Sequence, residues 1–465
     1  MAKNKVAWFF TLVFLCSCSA EKDQESTFAP KLISLQGVER SLQFHSYVYV
    51  PTDADDASIR LAINRQLKTA FGFFNQSKLA VNDIDFAKKM APTSWKREVL
   101  TVIDTQNPTS PSYQIQRVDF DYQDQVLASN ETANTHVLTM TLLAGAYEAQ
   151  ERELYTDCAD EFGAQTGIFW RDFRFQLPSC QMRIENESKE IQSALQELAG
   201  ETGVTSSAEV NRWFITVQAK LGPEIRANRT ASPEYGRLFG FSAPKDKLII
   251  YVFGGVDFSG QDANDDLGKE NLKFLRRMHQ THPDMKIVPQ LESAQNLFDR
   301  WTYLEFDIQV NRHDTSKTIA VEIRSFYGND TGTEEEKRAA HARFQEAFWN
   351  ADIFIYNGHS HLGASMLHPS LYQAEHFHER YQLMVINSCS SFTYYRQGFF
   401  DQKPGGVKNL DMIVNGGTSA ILNSGEVLAN FLNGLFEQKN YEELLESMHL
   451  ADGGEFDELR VVDGE

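Results

Sequence analysis

The chain has 465 residues, 42% of them hydrophobic and 12% aromatic, which fits globular domains with real cores and excludes a disordered polymer. At this length two or three domains are expected. A formal charge of −20 argues against binding to nucleic acid or to anionic lipid headgroups.

Lys3 and Lys5 precede an apolar run from Val6 to Leu15, too short to be a permanent membrane span. Leu15-Cys16-Ser17-Cys18 then resembles a bacterial lipobox, which implies cleavage before Cys18 and lipidation of its thiol. Ser19, where Asp is absent, resembles the outer-membrane sorting pattern. A plain secretory signal cut further on is the alternative. Residues 1–18 are thus expected to be a signal segment and 19–27 a polar tether, with the lipid as the only membrane contact. Removing Lys3 and Lys5 takes the formal charge from −20 to −22.

Residues 28–243 read as an α+β domain. Strand-like alternation ends at Ser46–Val50 before Pro51, and Asp53–Phe74 reads as a helix. Tyr113–Val126 and His136–Glu148 read as antiparallel strands, Glu187–Leu198 as a helix and Trp213–Val217 as a strand. Cys158 and Cys180 lie in one segment of a chain that is expected outside the cytoplasm, so they are predicted to form a disulfide. That leaves Cys389 as the unpaired thiol.

Residues 244–465 read as an α/β domain. Leu248–Phe253 has the uninterrupted apolar character of a strand covered on both faces, and Leu267–His279 follows as a helix. The Met285–Val288 run comes next. Tyr303–Val310 and Ile319–Phe326 alternate around a polar turn, predicting a hairpin that is an insertion relative to a plain doubly wound sheet. Thr333–Glu336 is a capping box that opens a helix with Phe344, Ala347 and Phe348 on one face. Two apolar strands follow, Asp352–Asn357 and Gln382–Asn387. They run into Gly358-His359-Ser360-His361 and Ser388-Cys389-Ser390-Ser391. Met412–Val414 and Ala420–Leu422 read as further strands, Glu426–Met448 as helical, and the residues beyond Ala451 as a loose acidic tail.

In a parallel sheet ligands bind beyond the carboxyl ends of the strands, and His359 and Cys389 each fall just past such an end. A thiol and an imidazole there are the minimum parts of nucleophilic catalysis, with backbone N–H groups to receive the oxyanion. An apolar strand ending in Gly-His-small, then one ending in Ser-Cys-Ser, resembles the caspase–gingipain group of cysteine peptidases (clan CD, with the related CHAT domains). The resemblance implies a caspase-like, mostly parallel sheet flanked by helices. It makes His359 the dyad histidine, Cys389 the nucleophile, and the N–H groups of Gly358 and Cys389 oxyanion donors. It also implies a peptide or protein substrate and no cofactor. Ser360 stands where the family has Gly, the local caspase signature around the nucleophile is absent, and the His-to-Cys separation is closer to the gingipain pattern.

Two other readings compete. A chain that keeps the fold without the chemistry would be a binding or scaffold lipoprotein. His359-Ser360-His361 also begins a metal-hydrolase pattern, which His376 and His378 would have to complete as a zinc site. On a helix over Ala374–Arg380 those two would face different ways. Asn387 reads as a turn-stabilising amide.

Overall fold

A computed structural model describes residues 31–35, 37–76, 94–103, 113–129, 132, 134–145, 154, 156–159, 173–202, 209–210, 212–225, 228–255, 263–328, 333–363, 365–416, 419, 421–452 and 459–463. The lipobox, Cys18 and the tether lie outside the described residues. None of the described helices is long and apolar enough to cross a membrane.

The described residues form two sheets. The first is built from β2 (Gly37–Val50), β3 (Lys96–Ile103), β4 (Tyr113–Ser129), β5 (Val137–Leu143), β6 (Glu209–Val210) and β7 (Phe214–Ile225), in the order β5-β7-β2-β4-β3-β6. All pairs are antiparallel except β3 with β6. Alternation along β2 and β4 sends Leu42, Phe44, Val118 and Phe120 inward, where α1 (Asp56–Gln76) adds Ile59, Ile63 and Leu67. Cys158 and Cys180 are joined, and they anchor the start of α2 (Pro178–Thr202) against a small aromatic cluster with Phe173, Phe175 and Trp213. Their sequence separation of 22 corresponds to roughly 3 kcal/mol on a chain-entropy account.

The second sheet has nine strands, and its centre is parallel. Its members are β1 (Lys31–Ser34), β8 (Lys247–Gly254), β9 (Lys286–Val288), β10 (Arg300–Arg312), β11 (Thr315–Tyr327), β12 (Ile353–Asn357), β13 (Gln382–Asn387), β14 (Leu410–Asn415) and β15 (Leu459–Asp463). The order is β1-β15-β14-β13-β12-β8-β11-β10-β9, with β14, β13, β12, β8 and β11 mutually parallel. Both faces are covered. Ile250, Ile353, Ile355, Val385 and Ile413 meet α3 (Asp266–Thr281), α6 (Ser424–Phe436) and α7 (Tyr441–Ala451). The alternate residues Tyr251, Phe354, Tyr356, Met384 and Met412 meet α4 (Glu334–Asn350) and α5 (Ser391–Gln402). Burial on both faces is why these strands carry no polar alternation.

Several expectations are corrected. The hairpin forms, β10 pairing antiparallel with β11, but it is integrated in the central sheet, since β11 is also parallel to β8 over Ala320–Tyr327. The boundary expected at 243/244 does not separate the sheets cleanly, because β1 joins the second sheet through β15. Leu238 and Phe239 also belong to the second sheet's core. The tail is not loose at its end: Leu459–Asp463 is buried between β14 and β1. Ile421 and Leu422 do not form a strand, and Asn423, at φ 67°, turns the chain into α6. Ala374–His376 is a short 3-10 turn, so the helix expected over Ala374–Arg380 does not form.

Candidate active site

The register of the parallel sheet pairs Asn357 at the end of β12 with Asn387 at the end of β13. His359 and Cys389 lie two residues beyond these paired positions, on neighbouring loops at the same edge. β12 also neighbours β8, while the chain continues from β8 to β11 on the other side. The strand order therefore reverses between β8 and β12, the kind of switch point at whose carboxyl ends open α/β sheets bind ligands.

Each loop is held from within the fold. The Tyr356 hydroxyl donates to the His359 carbonyl at 2.8 Å, and the Tyr395 hydroxyl on α5 donates to the Ser360 carbonyl at 2.9 Å. Burial holds the Tyr395 phenol well above its ordinary range, so it stays a neutral donor. Cys389 occupies the turn from β13 into α5, and Ser390 takes a left-handed conformation at φ 49° to make that turn. Cys389 thus stands two residues before a twelve-residue helix. The Ser419 N–H points at Sγ from 3.4 Å.

Behind the loops runs a ladder of amides. Asn387 Nδ2 donates to Asn357 Oδ1 at 2.8 Å, and Asn415 Nδ2 at the end of β14 donates to Asn387 Oδ1 at 2.9 Å. The Ser419 hydroxyl reaches the same Oδ1 at 2.9 Å, while Asn357 Nδ2 donates to Ser424 Oγ at the start of α6 at 3.0 Å. All three asparagines are buried. Their amides tie three strand ends, the Ser419 loop and α6 into one frame, a larger role than the turn-stabilising amide expected of Asn387. The sequence carries the signal: Asn357, Asn387 and Asn415 each close an apolar strand just before Gly or Ser.

Gly358 is placed differently from its expected role. Its N–H donates to the Asn387 carbonyl at 3.2 Å, so this donor is taken up by the strand ladder and does not present to a substrate. Its lack of a side chain also has a local cause: a Cβ there would sit 2.5 Å from Gly255 Cα, and Gly255 N–H donates to the Asn357 carbonyl at 2.7 Å. The two glycines let the ends of β8 and β12 run together.

The histidines of the zinc reading are dispersed. His361 stands beside His359 with ring centroids 6.1 Å apart, and burial, then the His359 charge, hold its pKa below the usual imidazole range. His376 is engaged by the Gln373 N–H at 3.0 Å and by Gln345 at 3.1 Å. His378 is buried near the amino end of β13, with Nε2–H donating to the Ala351 carbonyl at 2.8 Å. Burial and then the Lys403 charge push its pKa down to about 3. Among the described residues no group of three His, Cys, Asp or Glu side chains is arranged to hold a metal ion.

No family model matches this chain, and no curated protein or solved structure shows significant similarity to it.

Proposed function

We propose that the chain is a cysteine endopeptidase of the caspase–gingipain type that uses His359 and Cys389. The observation that supports this best is the Asn357–Asn387 register, which sets the imidazole and the sole free thiol among the described residues on adjoining loops at a topological switch point. In the reaction, His359 accepts the Cys389 proton as Sγ attacks the scissile carbonyl carbon. The tetrahedral oxyanion collapses, the C–N bond breaks, and the imidazolium gives its proton to the leaving amine. Water, deprotonated by His359, then hydrolyses the thioester and restores the thiol. The Cys389 N–H is the oxyanion donor in this account, since the Gly358 N–H is engaged by Asn387.

That engagement favours a second reading, a caspase-shaped binding lipoprotein without activity. Incubating the purified chain with a mixed peptide library separates them. Cleavage stopped by iodoacetamide but not by a chelator supports the peptidase, and no cleavage under any condition supports the binder.

On the same reading the body is tethered to the bacterial outer membrane by lipid on Cys18. Cys18→Ser should leave the precursor uncleaved and move the protein out of the membrane fraction. Normal processing and retention in the membrane would rule the lipobox out.

A further inference from the structure

The proposed reaction develops an oxyanion, and of the two donors expected for it the Gly358 N–H is taken up by the Asn387 carbonyl. A different backbone group faces the reacting atom. The Ser419 N–H is aimed at Cys389 Sγ from 3.4 Å, and the Ser419 carbonyl lies 3.9 Å from the same sulfur. The oxyanion forms two bonds from Sγ, on the carbonyl that the sulfur attacks. A donor this close to the sulfur is therefore within reach of it.

Ser419 follows β14, and neighbouring elements fix its position. Its hydroxyl donates to Asn387 Oδ1 at 2.9 Å, and the same oxygen accepts Asn415 Nδ2 at 2.9 Å. Asn387 is held from its other end, where Nδ2 donates to Asn357 Oδ1 at 2.8 Å. The Asn415 N–H donates to Ser391 Oγ at 2.8 Å, and that hydroxyl donates to the Ile386 carbonyl at 2.7 Å. These two bonds staple the end of β14 to the first residue of α5, two positions beyond Cys389. On the far side of Ser419, Ser424 Oγ accepts Asn357 Nδ2 at 3.0 Å and the Gly425 N–H donates to Glu270 Oε2 at 2.9 Å. Asn387, Asn415, Ser391 and Ser424 are all buried, so water does not compete for these bonds. A donor placed in advance needs no reorganisation as charge develops.

We infer that the Ser419 N–H is a second oxyanion donor, and that the Ser419 hydroxyl is the positioning group that aims it through Asn387. The inference rests on the peptidase reading. As Sγ bonds to the carbonyl carbon, the π pair of the C=O bond moves onto oxygen, and the N–H groups of Cys389 and Ser419 donate to it. The Ser419 N–H passes from the sulfur to that oxygen. When the pair returns, the C–N bond breaks and the amine takes its proton from His359.

Ser419→Ala and Ser419→Thr in the full chain test this, on a peptide that the wild type cleaves. Ser419→Ala is expected to lower kcat about tenfold and to leave KM within about twofold, because the lost anchor matters only once the oxyanion exists. Ser419→Thr keeps the hydroxyl and should retain most of the rate. A peptide aldehyde forms a hemithioacetal on Cys389 whose oxygen takes the oxyanion's place, so it should bind Ser419→Ala about tenfold more weakly. The matching peptide alcohol forms no such adduct and should bind both chains equally. An unchanged kcat or aldehyde affinity in Ser419→Ala, an equal loss of alcohol binding, or a Ser419→Thr chain no faster than Ser419→Ala would overturn the inference and leave the peptidase reading standing. No cleavage by the wild type would overturn both.

Discussion

Replacing Cys389 with alanine is expected to reduce peptide hydrolysis below detection, and His359→Ala should lower it by about 10²–10⁴-fold. The two effects differ because the residues supply different things. Without the sulfur no acyl-enzyme can form. Without the imidazole the sulfur can still attack, but with no positioned base for its proton and no positioned acid for the leaving amine. His361→Ala should change the rate by less than about tenfold, since His361 neighbours His359 but lies two residues further from the strand end. Cys389 and His359 are both only partly buried and sit in loops, so the melting temperature should move by no more than a few degrees. Parallel rate and melting measurements on the three variants read the result. Equal losses in His359→Ala and His361→Ala would favour a metal site over the dyad.

Deleting residues 459–465 should leave a chain that does not fold to a soluble product. Leu459, Val461 and Val462 are buried, and among the described residues β15 is the strand that bonds β1 to the sheet. Removing three buried aliphatic side chains forfeits roughly 5–9 kcal/mol at about 1.5–3 kcal/mol each. That is comparable to the roughly 5–15 kcal/mol that stabilises a whole domain. The deletion also exposes the ladder edge of β14, a template for aggregation. Soluble expression and circular dichroism of the truncated chain check this. A monomeric, cooperatively melting truncation would show that β15 is dispensable.

That strand also shows where sequence reasoning runs out. Leu459-Arg460-Val461-Val462-Asp463 is short and flanked by acidic residues, so composition reads it as tail, and only the neighbours β14 and β1 make it a core strand. By contrast β8, β12 and β13 are legible because strands covered on both faces must be apolar throughout. The start of α4 is legible because Thr333 and Glu336 cap it reciprocally. Helix α5 escaped notice: Phe392, Tyr395 and Phe399 recur at helical spacing, but aromatic residues are weak helix formers. At the site, His359 and Cys389 are visible as reactive types at strand ends. The engagement of the Gly358 N–H and the amide ladder depend on register between strands, which a single sequence does not state.

On the proposed peptidase reading, Cys389 becomes acylated in each turnover with His359 as its base. The most direct measurement of this is the mass of the intact chain quenched in acid within the first turnover of a cleaved peptide, followed by mapping of the adduct. A thioester on Cys389 is expected in the wild type, absent in Cys389→Ala and strongly reduced in His359→Ala. Peptide cleavage with no adduct on Cys389, or with the adduct on another residue, would contradict it.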